Sequence, residues 1–193
     1  NVLTPDDVSE QFLTAARHLH YSSFFLHEGL KPYAPDIVRR VKSLGLSFSL
    51  DTNWDPEERW NSTLKEILPK VDVFLPNDQE AMLIAGCQGL DAAVAKLKAW
   101  GIDLMAVKRG AEGADAFYGN EYVTCSVDPA TEGGDGIGAG DSFDAGFLAG
   151  WLRGLGIDRS LALACECGRE VAGRVGGLTG QPTWAYVTEK LGI

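Results

Sequence analysis

Short apolar runs alternate along this chain with amphipathic stretches of helical period. Runs of strand character fall at 18–26 (HLHYSSFFL), 46–50, 71–75 and 103–108, and 114–118 with 121–127 reads as a hairpin across Gly119-Asn120. Between them helices are expected at 6–17, with Thr4-Pro5 at its start, at 35–44, ended by Gly45, near 57–68, at 78–85 and at 90–100. Three more are expected at 142–153, 159–175 and 183–191. Strands that alternate with helices of this length predict βαβ units. The fold class expected is therefore α/β, a three-layer αβα sandwich with a mostly parallel central sheet. In such sheets ligands gather at the carboxyl ends of the strands. Asp51 and Asn53 follow one strand there, Asn77 and Glu80 the next, and Lys108 and Gly110 the third.

Composition narrows the function. At 193 residues a single domain with a sizeable core is expected. The formal charge of −10 argues against general nucleic-acid binding and against an anionic membrane surface, although a local nest of amides can still hold phosphate. No apolar run reaches transmembrane length and no signal peptide pattern occurs, so the expected location is cytoplasmic. The four cysteines contain no C-x-x-C pair and read as small packed side chains in a reducing compartment. The three histidines lack H-E-x-x-H spacing and suggest structural positions.

The stretch with most chemistry is D-G-I-G-A-G-D-S-F-D-A-G-F at 135–147, which packs four glycines and three aspartates into thirteen residues. Glycines so close together disfavour a helix or strand interior and suit a turn whose amides approach a ligand. The apolar helix behind them would present free N–H groups and a positive dipole end, which attract an anion. An acid at its start, Asp141, would then stand beside a bound phosphate, with Asp144 one turn deeper as a rival. A phosphate cradle beside a carboxylate base is the equipment of phosphoryl transfer to a hydroxyl. Gly146, Gly150 and Gly154 form an i, i+4 line that predicts close packing on a neighbouring helix.

This stretch resembles the D-T-x-G-A-G-D signature of the ribokinase-like (PfkB) carbohydrate kinases, with Gly136 where the family has Thr. The resemblance implies Asp141 as base, with the amides of Gly138, Ala139 and Gly140 as an anion hole. Asn77-Asp78-Gln79-Glu80 would by itself make a helix capping box. It also resembles the family's N-x-x-E motif, which implies a magnesium role for Asn77 and Glu80. Asp51-Thr52-Asn53 resembles the D-x-N element and implies substrate contacts, or else an Asx-turn into the next helix. Asp55 stands where that element continues to Arg. Lys108 to Gly113 resembles the strand and G-x-x-G turn at the nucleotide, so Lys108, Gly110 and Gly113 are expected at ATP, together with Asp135. On the adenine side, the segment 163–183 offers Gly168.

These motifs follow the family's order over essentially the whole chain. They imply the C-terminal, ATP-binding and catalytic portion of a sugar kinase that uses ATP and Mg2+. The N-terminal segment and lid of the family have no counterpart in 1–193. Partners implied are a small sugar, ATP and, in the complete protein, a second copy in a homodimer. A nucleoside or other small-alcohol kinase of the same fold, and a nucleotide-binding domain without turnover, are the alternatives.

Overall fold

The computed structural model describes residues 2–60, 63–128 and 133–193. Its strands are β1 (His18–Tyr21), β2 (Ser47–Leu50), β3 (Val73–Phe74), β4 (Leu104–Lys108), β5 (Ala114–Tyr118) and β6 (Glu121–Cys125), and they lie in one sheet in chain order. β1 to β4 pair in parallel, whereas β5 and β6 form an antiparallel hairpin from Ala114↔Cys125 to Tyr118↔Glu121. The sheet is thus mostly parallel and carries helices between its strands, the αβα class expected from the alternation. By its internal packing the chain divides into two compact units, Asn1–Met105 and Ala106–Ile193.

In the first unit the parallel strands are apolar because both faces are covered. Phe48, Leu50, Val73 and Phe74 are fully buried, and α2 (Ala34–Ser43) turns Ile37, Val38 and Val41 inward. The polar positions of β2 are used by β1. His18 Nδ1 pairs with Ser47 Oγ, and His18 Nε2 and His20 Nδ1 both reach Ser49 Oγ, each at 2.8 Å. After β3, α4 (Asp78–Ala85) ends at left-handed Gly86, and α5 (Leu90–Ala99) leads to β4.

Three expected elements are shorter than the periodicity implied. The helix expected at 6–17 is a single 3-10 turn, Pro5–Asp7, followed by α1 (Glu10–Thr14). Thr4 and Asp7 cap the first, and Ser9 Oγ accepts from Phe12 N at 3.1 Å to start the second, so two caps divide one amphipathic stretch. The strand expected to 26 stops at Tyr21. Ser23 turns left-handed at φ 54°, and Phe24 and Phe25 bury themselves in the turn that follows. Of the helix near 57–68 only α3 (Leu64–Ile67) forms, and Asn61 and Ser62 lie outside the described residues. Glu58 and Trp60, both at φ 51°, are left-handed, and the Asp55 carboxylate takes amides that a helix would use.

In the second unit α6 (Ala139–Trp151) packs on α7 (Ile157–Ala172), and α8 (Trp184–Leu191) closes the chain. A Cβ on Gly146 would stand 2.8 Å from Leu163 O, and one on Gly150 would stand 2.8 Å from Ser160 Oγ. These two glycines therefore form the expected packing seam. Gly154 does not belong to it: it lies past the helix end at φ 74°, with nothing near its Cβ position.

His18 gives the first unit an acid-sensitive joint. Burial, followed by the neighbouring His20, lowers its pKa from 6.5 to about 4, with Lys42 and Arg17 adding to the fall and Asp72 opposing it. Below 6.5 the unfolded chain binds a proton that the folded chain refuses. Stability should therefore fall as pH drops from 6.5 to about 4. After discounting for solvent screening, the loss should be about 1–2 kcal/mol. Urea midpoints at pH 7 and pH 4.5 check this: the drop should shrink in His18→Asn, and an equal drop in both proteins would refute it.

Candidate functional site

The glycine-rich stretch runs into α6 as expected, but the helix begins at Ala139, three residues earlier than its apolar pattern suggests. Gly138 is its N-cap at φ 77°, and a side chain there would collide with the Gly177 carbonyl. Ala139 N bonds Gly136 O at 3.2 Å and Ser142 N bonds Gly138 O at 2.9 Å. The amides of Gly138, Gly140 and Asp141 have no hydrogen-bond partner among the described residues. They are three donors at the positive end of a 13-residue helix, the arrangement that favours anions.

Asp135 holds this turn in place. Its Oδ1 accepts from Ile137 N at 3.0 Å and its Oδ2 from Gly176 N at 2.9 Å. The Gly176 amide, then that of Ile137, keeps its carboxyl below the usual carboxylate range. Asp135 was expected at the nucleotide; its oxygens are instead spent on two loop amides, and it does not line the adjoining cavity.

That cavity, of about 350 Å³, is within the range of small-ligand sites. Lys108, Gly110, Gly113, Ala139, Gly140 and Gly168 line it, so six of the residues expected at catalysis or at ATP come together in one place. Gly168 leaves space opposite Ala139 O and Phe143, since a Cβ there would be 3.2 Å from the former. Val127, Asp128, Phe143 and Arg169 also form walls, and sequence reasoning missed them. Arg169 is fixed by Glu166 at 2.8 Å and Glu170 at 2.6 Å. Burial opposes ionisation of Glu166, but Arg169 and Lys190 hold its pKa down at about 2.

The two candidate bases differ in environment. Asp141 is exposed on the first turn of α6. Asp144 is 3% exposed and accepts from Lys108 Nζ at 3.1 Å, an ion pair set into the cavity wall.

The first unit holds the remaining candidates. Asn77 and Glu80 make the capping box in full: Asn77 Oδ1 accepts from Glu80 N at 2.8 Å, and Glu80 Oε2 accepts from Asn77 N at 2.9 Å. Glu80 is buried there. Asp51 is buried after β2 and accepts from Ser23 N at 3.4 Å, while Asn53 is exposed and left-handed at φ 56°. Asp55 is the organiser of this loop: it is buried and accepts from Glu57 N and Arg59 N at 3.0 Å and from Trp60 N at 2.8 Å. Trp60 packs edge-on against Phe25, and half-exposed Trp54 packs edge-on against Trp60. The signal for Asp55 was its place before Pro56 in a polar turn, where a carboxylate commonly takes the amides that follow.

A mostly parallel αβα fold with a glycine-lined cavity at a helix N-terminus is an architecture of the ribokinase type. The chain belongs to the pfkB family of carbohydrate kinases, whose model matches residues 1–184. It is 31% identical over 169 residues to a cytidine kinase of Thermococcus kodakarensis, covering 85% of this chain and 58% of that protein. It is 34% identical over 152 residues to an uncharacterized sugar kinase of Archaeoglobus fulgidus, covering 78% and 56%. An E. coli structure assigned as ribokinase II, in complex with ATP and Mg2+, superposes with a TM-score of 0.88 at 25% identity, over 98% of this chain and 63% of that one. The chain thus spans less than two thirds of the length of these relatives.

Removing the Asp55 carboxylate orphans three amides in a loop with three left-handed non-glycine residues. Asp55→Ala should cost about 3 kcal/mol of unfolding free energy and shift the tryptophan emission. Denaturant titration followed by fluorescence checks it, and Asp55→Asn should retain part of the loss.

Proposed function

We propose that this chain provides the ATP site and the catalytic base of a kinase that transfers the γ-phosphoryl group of ATP to a hydroxyl of a sugar. The observation that carries this reading is the start of α6. Three amides free among the described residues and the exposed Asp141 carboxylate stand together there, and Gly140 between them lines the cavity. Asp141 accepts the proton of the acceptor hydroxyl as its oxygen bonds to phosphorus, and ADP leaves. The amides of Gly138 and Gly140 take charge that spreads over the transferring phosphoryl oxygens, whereas the Ala139 amide, expected with them, is taken by Gly136 O. Lys108, aimed by Asp144, places a positive charge in the cavity wall. The Gly110–Gly113 turn and Gly168 give backbone and open space to the nucleotide.

Magnesium is assigned to Asn77 and Glu80 through its own waters, because the capping box already takes Asn77 Oδ1 and Glu80 Oε2. Asn77 and Glu80 supply one amide and one carboxylate, a set suited to an ion that keeps most of its water. When bound, it would neutralise charge on phosphate oxygens. Asp51 and Asn53 are assigned to the acceptor side. The cytidine kinase relative supports a second reading, in which the acceptor sugar is part of a nucleoside. ADP release measured across sugars and nucleosides separates the two, and no release with either class would refute a kinase.

Asp141→Asn should lower turnover about 10³-fold while ATP binding persists, as measured by coupled assay and calorimetry. Near-normal turnover would return the base to another group. Glu80→Gln should raise the Mg2+ concentration for half-maximal activity about tenfold. An unchanged magnesium titration would leave Glu80 as a helix cap.

A further inference from the structure

Cys165 lies on α7 in the cavity wall and touches Cys125, the last residue of β6, forty positions earlier in the chain. Its Sγ is 3.9 Å from the Cys125 carbonyl oxygen, and the two thiols are also within hydrogen-bond reach of each other. Both are free, with Cys125 half-buried and Cys165 buried. The hydrogen bond from Cys165 outweighs burial and brings the Cys125 thiol down from 9.0 to about 7, while the same bond and burial push Cys165 up. The contact thus favours the thiolate at Cys125, the more accessible of the two sulfurs, over Cys165. Cys167, on the same helix, is pushed up to about 11 by burial and does not compete.

The geometry points to Cys125 and Cys165 as an oxidisable pair whose disulfide reshapes the nucleotide cavity. With a peroxide as oxidant, the Cys125 thiolate takes one oxygen to become a sulfenic acid and releases hydroxide. The Cys165 sulfur then displaces the sulfenic hydroxyl, forming the S–S bond, and its proton leaves with that hydroxyl as water. In sum two thiols and one hydrogen peroxide give one disulfide and two waters.

The bond would act on more than one wall. A disulfide would hold the two sulfurs at about 2 Å, which draws α7 and the end of β6 together. Val127 and Asp128, which continue from Cys125, line the cavity. Gly113 lines it too, and is packed so closely on the Cys125 carbonyl that a Cβ could not be accommodated. A shift of Cys125 therefore moves the G-x-x-G turn with it.

The pairing does not depend on what fills the cavity; only the binding readout rests on the kinase reading. Protein treated with hydrogen peroxide is digested and mapped by mass spectrometry, and ATP affinity is measured by calorimetry before oxidation, after it, and after dithiothreitol. The expected result is a Cys125–Cys165 link, ATP binding about tenfold weaker, as displaced packing commonly costs, and recovery on reduction. Oxidised Cys125→Ser should keep its affinity. No link in the wild-type protein, or an equal loss of affinity in Cys125→Ser, overturns the proposal. If the link forms but reduced protein binds no ATP, the pair stands, while its effect on nucleotide and the kinase reading both fall.

Discussion

The close approach of α6 and α7 is the constraint on which the second unit depends. Helices separated by ordinary side chains pack at 8–10 Å between axes, and glycines let the backbones come nearer. Gly146 and Gly150 are required because Leu163 O and Ser160 Oγ already occupy the space a Cβ would need. Once α6 is pressed on α7 along this seam, its first turn is set against the later part of α7, where Gly168 faces Ala139 and Phe143. The cavity is what remains between these helix ends, the Gly110–Gly113 turn and the residues after β6. A methyl group at the seam would spread the helices and lose the cavity without touching any ligand-facing atom.

The anion binding proposed for this chain would be a local property that opposes the global one. The net charge of −10 should repel phosphate at long range. Backbone amides at the start of α6 and the Lys108 ammonium must therefore act at contact distance, where their orientation matters more than the total field. Asp135 contributes to that orientation although it is itself negative. Its charge is spent on the Ile137 and Gly176 amides, which ties the turn before α6 to the loop after α7.

Periodicity and glycine placement made the class, most strand positions and the glycine-rich turn into α6 legible. The two misjudged helices share one cause, side-chain oxygens that compete with helix hydrogen bonds, whereas the overlong strand ends at the left-handed turn of Ser23. Ser9 divides the first helix and Asp55 replaces part of the third, and neither effect changes the apolar pattern that predicts a helix. The walls at Val127, Asp128 and Arg169 were illegible because they follow from tertiary packing of α7 on the hairpin. The proximity of Cys125 to Cys165 was illegible for the same reason. Gly136, which departs from the family signature, becomes intelligible in the fold. It stands at φ 69°, a left-handed conformation that a β-branched threonine adopts only under strain.

The two aspartates of α6 show how one turn of helix separates chemistry from support. A base must take up a proton and give it to solvent, which requires access and an anion that can be neutralised without leaving another charge stranded. Asp144 meets neither condition. It is buried, and protonating it would break its ion pair with Lys108, a loss that buried ion pairs do not tolerate cheaply. Asp141 lies at the exposed start of the same helix, beside the free amides, where a base of the proposed reaction would have the access it needs. The spacing of three residues between them leaves one carboxylate exposed and commits the other to aiming a lysine, so in the proposed reaction the same helix would supply both the base and the fixed charge.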